Sequence, residues 1–315
     1  MKAIRTTAAV TAILVYALIV LGALVRTTDS GLSCPDWPTC YGHWVPLPSD
    51  VAAVPNIGYT YGQVMLEWVH RLIAGFFVGP LVLALAVLTF HRRRERPDLA
   101  ITGAVLVVLL LVQGALGGLT VLDRNSPWSV AIHLGNALLV LTATLRLFVG
   151  ASGWTSGEAA RALLPPAAAA WGLALLAMMS AAMTAKSGAS LACATWPSCN
   201  GALIPDLGDY WIRIHFTHRV LAALTALTLL YLFWRSRAVH GPIRRLVSVA
   251  AGLVVLQVGL GALVILLEVP IWKAVLHQAV GVLTFATVTL ILWRCAPPVR
   301  GGALGDTDGL ALRGA

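Results

Sequence analysis

Four histidines recur at matched depth within long apolar stretches of the sequence. His70, His133, His218 and His277 each lie near the same end of a predicted membrane span. Ionisable side chains inside a span are costly and usually face the interior of a helical bundle, so each one indicates a function. Two neutral imidazoles on neighbouring helices can ligate a haem iron from opposite sides. The spacing therefore favours two haem sites, one between His70 and His133 and one between His218 and His277.

Two other interpretations stay open for these histidines. A single histidine could serve as a hydrogen-bonding link between helices, as polar side chains often do in membranes. A zinc or copper ion would draw the histidines to one centre, with help from thiolates or carboxylates. Four histidines in two separated pairs at one depth favour haem over both.

An acidic residue precedes the first histidine by three positions, and so lies on nearly the same helix face. This residue is Glu67, and the equivalent residue before His218 is His215. A carboxylate at membrane depth is costly unless it transfers protons or stabilises positive charge, which makes Glu67 a candidate catalytic residue. Pairing with Arg71 is the alternative. The difference predicts chemistry in the first half and a supporting haem, with His215 as a hydrogen-bonding group, in the second.

Other polar and small residues accompany the histidines in both halves. Arg71 and Arg219 directly follow a histidine, where they either bind haem propionates or extend to the membrane surface. Stripes of small residues would let helices or a flat ligand approach closely. These stripes comprise Gln113, Gly114, Gly117 and Gly118 in the first half, and Gln257, Gly259 and Gly261 in the second.

Two short cysteine loops have the same pattern, C-x-x-W-P-x-C, at 34–40 and 193–199. Both loops are predicted to face the outer compartment, where disulfides persist, so we expect Cys34–Cys40 and Cys193–Cys199 bonds. A structural clip is the preferred role for the second pair. For the first pair a redox role stays open, because a disulfide that closes a short exposed loop is often labile.

The composition requires a membrane protein. Of 315 residues, 58% are hydrophobic and 11% are charged, whereas about a quarter are charged in soluble proteins. Eight apolar runs are long enough to cross roughly 30 Å of hydrocarbon. They cover residues 8–25, 66–90, 101–122, 129–149, 163–184, 212–234, 246–268 and 272–293. The first run is retained as a helix, since no small-x-small cleavage site and soluble domain follow it.

The cysteine loops belong to a longer internal repeat, which predicts the architecture. His70-Arg71 matches His218-Arg219, and Gln113, Gly117, Trp128 and His133 match Gln257, Gly261, Trp272 and His277. We predict an all-α integral membrane protein of two repeated four-helix bundles, residues 1–150 and 160–295. Because four helices is an even number, the bundles share one orientation and are related by a pseudo-two-fold axis along the membrane normal. Residues 296–315 are predicted to be a disordered cytoplasmic tail.

The net charge of +9 reflects topology rather than nucleic-acid binding. On the side of the termini and the loops 91–100, 150–162 and 235–245, counting Arg146 at a helix end, there are 15 Lys and Arg residues. The other side has seven. The positive-inside rule then places both termini in the cytoplasm and the cysteine loops on the outer face of the cell membrane.

The motif E-x-x-H-R at 67–71, with His133, His218-Arg219, His277 and the cysteine loops on eight repeated spans, resembles the haem A synthase family over residues 10–295. Members oxidise the C8 methyl group of haem O to a formyl group, which makes haem A for terminal oxidases. The resemblance implies that His70 and His133 are axial ligands of substrate haem O, with Glu67 close to the reacting methyl. His218 and His277 would be axial ligands of a permanent haem b cofactor.

The resemblance also implies partners: the lipid bilayer, haem O synthase as the source of substrate, an unknown electron donor, and a possible homo-oligomer. Two rival functions use the same histidines. A dihaem cytochrome b that relays electrons from quinol would need the four ligands but would not explain Glu67. A haem transporter would use the repeat and its cavities, but bis-histidine ligation in both halves would hold the cargo too firmly.

Overall fold

A computed structural model describes residues 1–55 and 58–297 of the chain. In these residues eight helices are long and apolar enough to cross a membrane, and no β-strand is formed. The predicted all-α class and the eight spans are therefore confirmed. The helices are α1 (Lys2–Thr27), α2 (Tyr61–His91), α3 (Pro97–Leu122), α4 (Pro127–Gly150), α5 (Leu164–Lys186), α6 (Tyr210–Arg235), α7 (Pro242–Leu266) and α8 (Ile271–Cys295).

Local sequence signals fix where the helices begin. Pro97, Pro127 and Pro242 stand in the first turn of α3, α4 and α7. Proline is favoured there because the first helical N–H has no partner within the helix. Ser126 caps α4, since its hydroxyl accepts a hydrogen bond from the N–H of Ser129,. The connections 92–96, 123–126, 236–241 and 267–270 are short, so the helices that they join pack side by side.

The helices pack as two groups of four with the same neighbours in each. In the first group α1 contacts α2, α2 contacts α3, α3 contacts α4, and α4 returns to α1. The second group repeats this circuit with α5, α6, α7 and α8. Between the groups, α4 contacts α8, and the contacts of α4 with α5 and of α8 with α1 lie beside it. A two-fold rotation would exchange these contacts, which supports the predicted axis; the axis itself stays a prediction.

Aromatic side chains join the two groups at the centre. The ring of Trp171 on α5 lies 6.1 Å from that of the fully buried Phe285 on α8, measured between centroids. The Trp171 indole N–H donates to the Thr142 hydroxyl on α4 (3.2 Å), and the Trp293 indole N–H on α8 donates to the Thr142 carbonyl (3.0 Å). Such bonds link helices where lipid offers no alternative partner.

Helices α2 and α6, which carry equivalent histidines, differ in backbone. Six residues of α2, Ile73–Val78, form a π-helical segment just after His70, whereas α6 is an uninterrupted α-helix. Short π-helical segments are rare and often lie at functional sites. Before this segment α2 packs against α1, and after it α2 packs against both α1 and α3. One prediction was wrong here: His91 is the last residue of α2, not part of the following loop.

Two predicted boundaries remain to be placed. The bundle limits 1–150 and 160–295 fall at the end of α4 and in the short helix Glu158–Arg161 that precedes α5. The division into two domains stays a prediction. The predicted disordered tail, 296–315, lies outside the described residues from position 298 onward.

Candidate functional site

All four histidines lie in the halves of their helices that adjoin the cysteine loops. His133 and His277 are each the seventh residue of their helix, whereas His218 is the ninth and His70 the tenth. His70 and His133 belong to the first group of four helices, and His218 and His277 belong to the second. Each group therefore carries two histidines at a similar depth.

Three of these imidazoles face a glycine on the neighbouring helix. A Cβ atom added to Gly22 or Gly261 would crowd the Cε1 atom of the ring opposite, and one added to Gly117 would make an ordinary van der Waals contact with it. The distances from such a Cβ to Cε1 would be 3.2 Å for Gly22 and His70, 3.5 Å for Gly117 and His133, and 3.1 Å for Gly261 and His277. The missing side chains let the rings and the helix backbones come close, as a slot for a flat ligand requires.

The donor set suits haem iron better than a protein-bound metal ion. The buried Nδ1 atoms of His70 and His277 have no hydrogen-bond partner in the described part of the chain. Between 1–55 and 58–297 there is no cluster of three or more His, Cys, Asp or Glu residues that could hold a metal. Zinc and copper sites use three or four protein ligands, whereas a bis-histidine haem needs two imidazoles. The residues present therefore fit a haem in each group.

A glutamine accompanies the histidine of α4 and of α8. The Gln113 amide nitrogen lies 3.3 Å from Nδ1 and 3.1 Å from Nε2 of His133, and thus contacts the ring rather than one in-plane lone pair. Asn136 donates to the Gln113 carbonyl oxygen (2.7 Å), which fixes the orientation of the amide. In the second group the Gln257 amide nitrogen is 3.4 Å from Nε2 of His277, and the Gln257 carbonyl oxygen is buried without a partner among the described residues.

Glu67 is buried beneath the first cysteine loop, residues 28–47, here named loop 1. Its Oε1 accepts from the Arg71 guanidinium (2.5 Å), one helical turn further along α2. Its Oε2 accepts from the backbone N–H of Cys34 (3.1 Å) and the hydroxyl of Ser33 (3.2 Å). All its partners donate, as a carboxylate requires. Glu67 thus lies one turn from His70 and forms the predicted alternative contact with Arg71.

Arg71 fastens loop 1 to α2. One terminal nitrogen of its guanidinium donates to the carbonyl oxygens of Asp36 (2.5 Å) and Thr39 (2.7 Å). The other donates to the Cys34 carbonyl (3.1 Å) as well as to Glu67. Arginine suits this task because its planar group offers five donors in fixed directions.

The second cysteine loop, residues 187–209 and here named loop 2, is held by the same arrangement with one exchange. His215 takes the place of Glu67: its Nε2 accepts from Arg219 (3.2 Å), and its Nδ1 lies 3.3 Å from the Cys193 nitrogen. Arg219 donates to the carbonyls of Cys193 (2.7 Å) and Ser198 (2.9 Å). The Nδ1 of His215 also contacts the Ala189 carbonyl at 2.9 Å. A neutral imidazole thus fills the position of a carboxylate.

Three of the predicted site residues lie together beneath loop 1. The structure brings Glu67, His70 and Arg71 together, but both arginines direct donors at loop carbonyls instead of open space. Propionate binding by Arg71 and Arg219 stays a prediction. It would use those guanidinium N–H groups that do not donate to loop carbonyls. Both cysteine pairs form disulfides, Cys34–Cys40 and Cys193–Cys199, and Cys295 is a buried free thiol.

An aspartate organises the turn inside loop 1. The Asp36 carboxylate accepts from the Thr39 hydroxyl and from the backbone N–H groups of Tyr41 (2.6 Å) and Gly42 (2.9 Å). Partial burial alone would raise the pKa of Asp36, but these hydrogen bonds outweigh it and hold the pKa below its usual value,. The adjacent Trp37 packs its ring against Gly118 of α3, so loop 1 covers the end of the first bundle.

Several residues of the site had not been predicted. Ser33 contacts Glu67, Asn136 orients Gln113, and Ser180 lies 3.1 Å from Nδ1 of His218. None has an identical counterpart in the repeat, so residues that match between the two halves do not point to them. Positions that differ between the two halves would have revealed them. Asn136, for example, aligns with Val280 at the same offset that aligns His133 with His277.

Comparison with known proteins gives a consistent family. The family model COX15-CtaA, described as cytochrome oxidase assembly protein, matches residues 5–289. Similar relatives named "Heme A synthase" include one from Shewanella oneidensis, 30% identical over 90% of this chain and 95% of its own. Another, from Rhodospirillum centenum, is 31% identical over 94% of this chain and 89% of its own. A third, from Methylobacterium radiotolerans, is 32% identical over 91% and 89%, respectively.

Proposed function

The chain belongs to the COX15-CtaA family of cytochrome oxidase assembly proteins, and on this basis we propose that it is a haem A synthase. It is then a membrane oxidoreductase that converts the C8 methyl group of haem O to a formyl group. We assign haem O, the substrate, to His70 and His133. We assign haem b, the cofactor, to His218 and His277.

One observation supports this assignment above the others: the two bundles share a scaffold but differ in the group beside the axial ligand. Glu67 and His215 occupy the same position between an arginine and the backbone N–H of a cysteine. A buried carboxylate can take up and release a proton beside a reacting group, whereas the imidazole of His215 serves the loop and its arginine. The bundle with the carboxylate is thus the better candidate for the chemical step.

Within the first bundle, loop 1 holds Glu67 ready for proton transfer. Arg71 and the Cys34 N–H fix both carboxylate oxygens, so little reorganisation is needed when charge changes nearby. The single proton of the Ser33 hydroxyl has three alternative acceptors, the Glu67 carboxylate (3.2 Å) and the carbonyls of Ser30 (2.7 Å) and Gln63 (3.0 Å). Ser33 therefore ties the carboxylate to loop 1 and helps to fix its orientation. When bound, haem b supplies electron transfer to this bundle.

Further proposals follow from the sequence. The distribution of Lys and Arg supports termini in the cytoplasm and cysteine loops on the outer face of the cell membrane. Haem O synthase is the proposed source of substrate, and an outside reductant supplies electrons. Association into a homo-oligomer is the remaining proposal about partners.

Pigment analysis after co-expression with a source of haem O tests the function. Haem A in the extract supports the synthase. Haem b alone would indicate a dihaem cytochrome that relays electrons from quinol, and unconverted haem O bound by the protein would indicate a transporter. The His70→Ala variant is the matched control, since it removes one proposed substrate ligand and leaves the second bundle intact.

A further inference from the structure

The proposed ligands on α2 and α6, His70 and His218, differ in what contacts the ring nitrogen Nδ1. The ligand on α8, His277, does not share the anchor of His218, because its Nδ1 is also buried without a partner in the described part of the chain. The Nδ1 of His218 lies 3.1 Å from the Ala177 carbonyl and 3.1 Å from the Ser180 hydroxyl. A carbonyl only accepts, so in this contact Nδ1 carries the proton and Nε2 keeps its lone pair. Such a bond fixes the ring, selects the tautomer that binds iron, and makes the imidazole a stronger donor.

The equivalent histidine of the first bundle lacks this bond. Counting from the cysteine pairs, Ser180 and Ala181 on α5 correspond to Leu21 and Gly22 on α1. Leucine offers no hydroxyl, and the Nδ1 of His70 is buried without a partner in the described part of the chain. Gly22 contributes to the difference, because without a methyl group there the ring of His70 lies close against the α1 backbone.

We propose that this difference makes one bundle retain haem and the other exchange it. Ser180, whose hydroxyl donates to the Ala177 carbonyl (2.8 Å) and offers its own oxygen to the Nδ1–H of His218, is a positioning residue that strengthens the hold of His218 on iron. The pair Leu21 and Gly22 leaves His70 unanchored, so that haem leaves the first bundle more readily. The inference rests on the proposed function, in which a substrate must enter and a product must depart while a cofactor stays.

Transfer of haem to excess apomyoglobin measures the rate of loss from each bundle. The wild-type protein loaded with haem b in both sites is expected to release it in a fast and a slow phase. In His70→Ala the fast phase should be absent. In the double variant Leu21→Ser/Gly22→Ala the fast phase should slow by about tenfold or more, the usual effect of a partner that orients a metal-binding histidine.

The reciprocal change should loosen the second bundle. Ser180→Ala is expected to speed the slow phase by about tenfold, whereas Ser180→Thr, which keeps the hydroxyl, should restore the wild-type rate. Ser180→Ala should also raise the reduction midpoint potential of this haem, because a weaker imidazole donor stabilises ferric iron less. A change in packing alone would not be reversed by threonine. Ile13→Ser, on the exposed side of α1, controls for the added hydroxyl.

Two results would overturn the inference: equal rates of haem loss from the two bundles, or rates and potentials that the swaps leave unchanged. Failure of the proposed function is distinguishable from both. If wild-type protein supplied with haem O makes no haem A, the synthase assignment falls, whatever the release rates are.

Discussion

The two bundles hold their cysteine loops in nearly the same way, and yet the surroundings of the equivalent histidines, His70 on α2 and His218 on α6, differ. In both, an arginine one residue after a histidine donates to the carbonyl of the first cysteine of the pair. In both, the side chain four residues before that arginine contacts the backbone nitrogen of the same cysteine. What is common to the two bundles thus serves to attach a loop to a helix.

What differs is closer to the proposed chemistry. The first bundle has a carboxylate at 67, a π-helical segment after His70 and, among the residues that the structure describes, no partner for the Nδ1 of that histidine. The second has an imidazole at 215, a regular helix and a His218 whose Nδ1 contacts the Ala177 carbonyl. Under the proposed function, this divergence on a shared scaffold separates a reaction site in the first bundle from a cofactor site in the second.

The largest expected effect tests which bundle holds the cofactor. Replacing His218 or His277 with alanine should abolish the haem b spectrum of the purified protein, because one axial ligand is removed. His70→Ala should leave that spectrum in place and remove haem O binding. Optical spectra and pigment extraction measure both. Loss of haem O alone from the His218 variant would show that the two bundles have been assigned in the wrong order.

The next effect tests the difference at 67 and 215. Glu67→Ala and Glu67→His should keep both haem sites but lower conversion of haem O by about 10²-fold or more, since a group that handles protons is lost. The matched control is His215→Glu, which should leave conversion within severalfold of wild type. Haem A content per bound haem is the measurement. Undiminished haem A in Glu67→Ala would remove this residue from the mechanism.

Much of this comparison was predictable from the sequence because rare residue types recur in order. The eight helices followed from apolar length, and the histidine pairs followed from equal depth. The exchange of Glu67 for His215 was visible by alignment. The hydrogen-bond partners of these groups could not be predicted. Arg71, for example, donates to the Asp36 carbonyl, which belongs to the backbone of a loop whose path the residue types do not specify.

Positions without a counterpart were equally hidden. The anchoring hydroxyl of Ser180 became visible only once α5 and α6 were in contact, because the residues are 38 apart in sequence. The π-helical segment Ile73–Val78 ends two residues before Pro80, which has no backbone N–H for the carbonyl of Phe76 four residues earlier,. Pro80 could therefore have indicated an irregular backbone here, although not its π-helical form.

A smaller effect separates the two arginines. Arg71→Ala would leave the buried carboxylate of Glu67 without its cation, so a loss of about 3–5 kcal/mol in the free energy of unfolding is expected. Arg219→Ala would leave only neutral groups unpaired, for which about 1–3 kcal/mol is expected. Unfolding in mixed detergent micelles measures both. Adding Glu67→Gln to Arg71→Ala should recover part of the loss, and equal losses for the two arginines would contradict the distinction.

The smallest effect concerns acid sensitivity of the two loops. The turn of loop 1 is organised by Asp36, whereas the aligned residue of loop 2, Thr195, accepts from the Gly201 N–H with a hydroxyl that does not titrate in this range. Since folding lowers the pKa of Asp36, its stabilising contribution is complete at neutral pH and is lost as the pH falls through that lowered value,.

Hydrogen exchange, corrected for its intrinsic pH dependence, should therefore show the N–H groups of Tyr41 and Gly42 losing protection in acid, while Gly201 keeps its protection. Asp36→Thr, which copies loop 2, should remove the acid response of loop 1. Parallel loss of protection in both loops would mean that acid acts on a group they share. The turn of loop 1 would then not owe its acid response to its own aspartate.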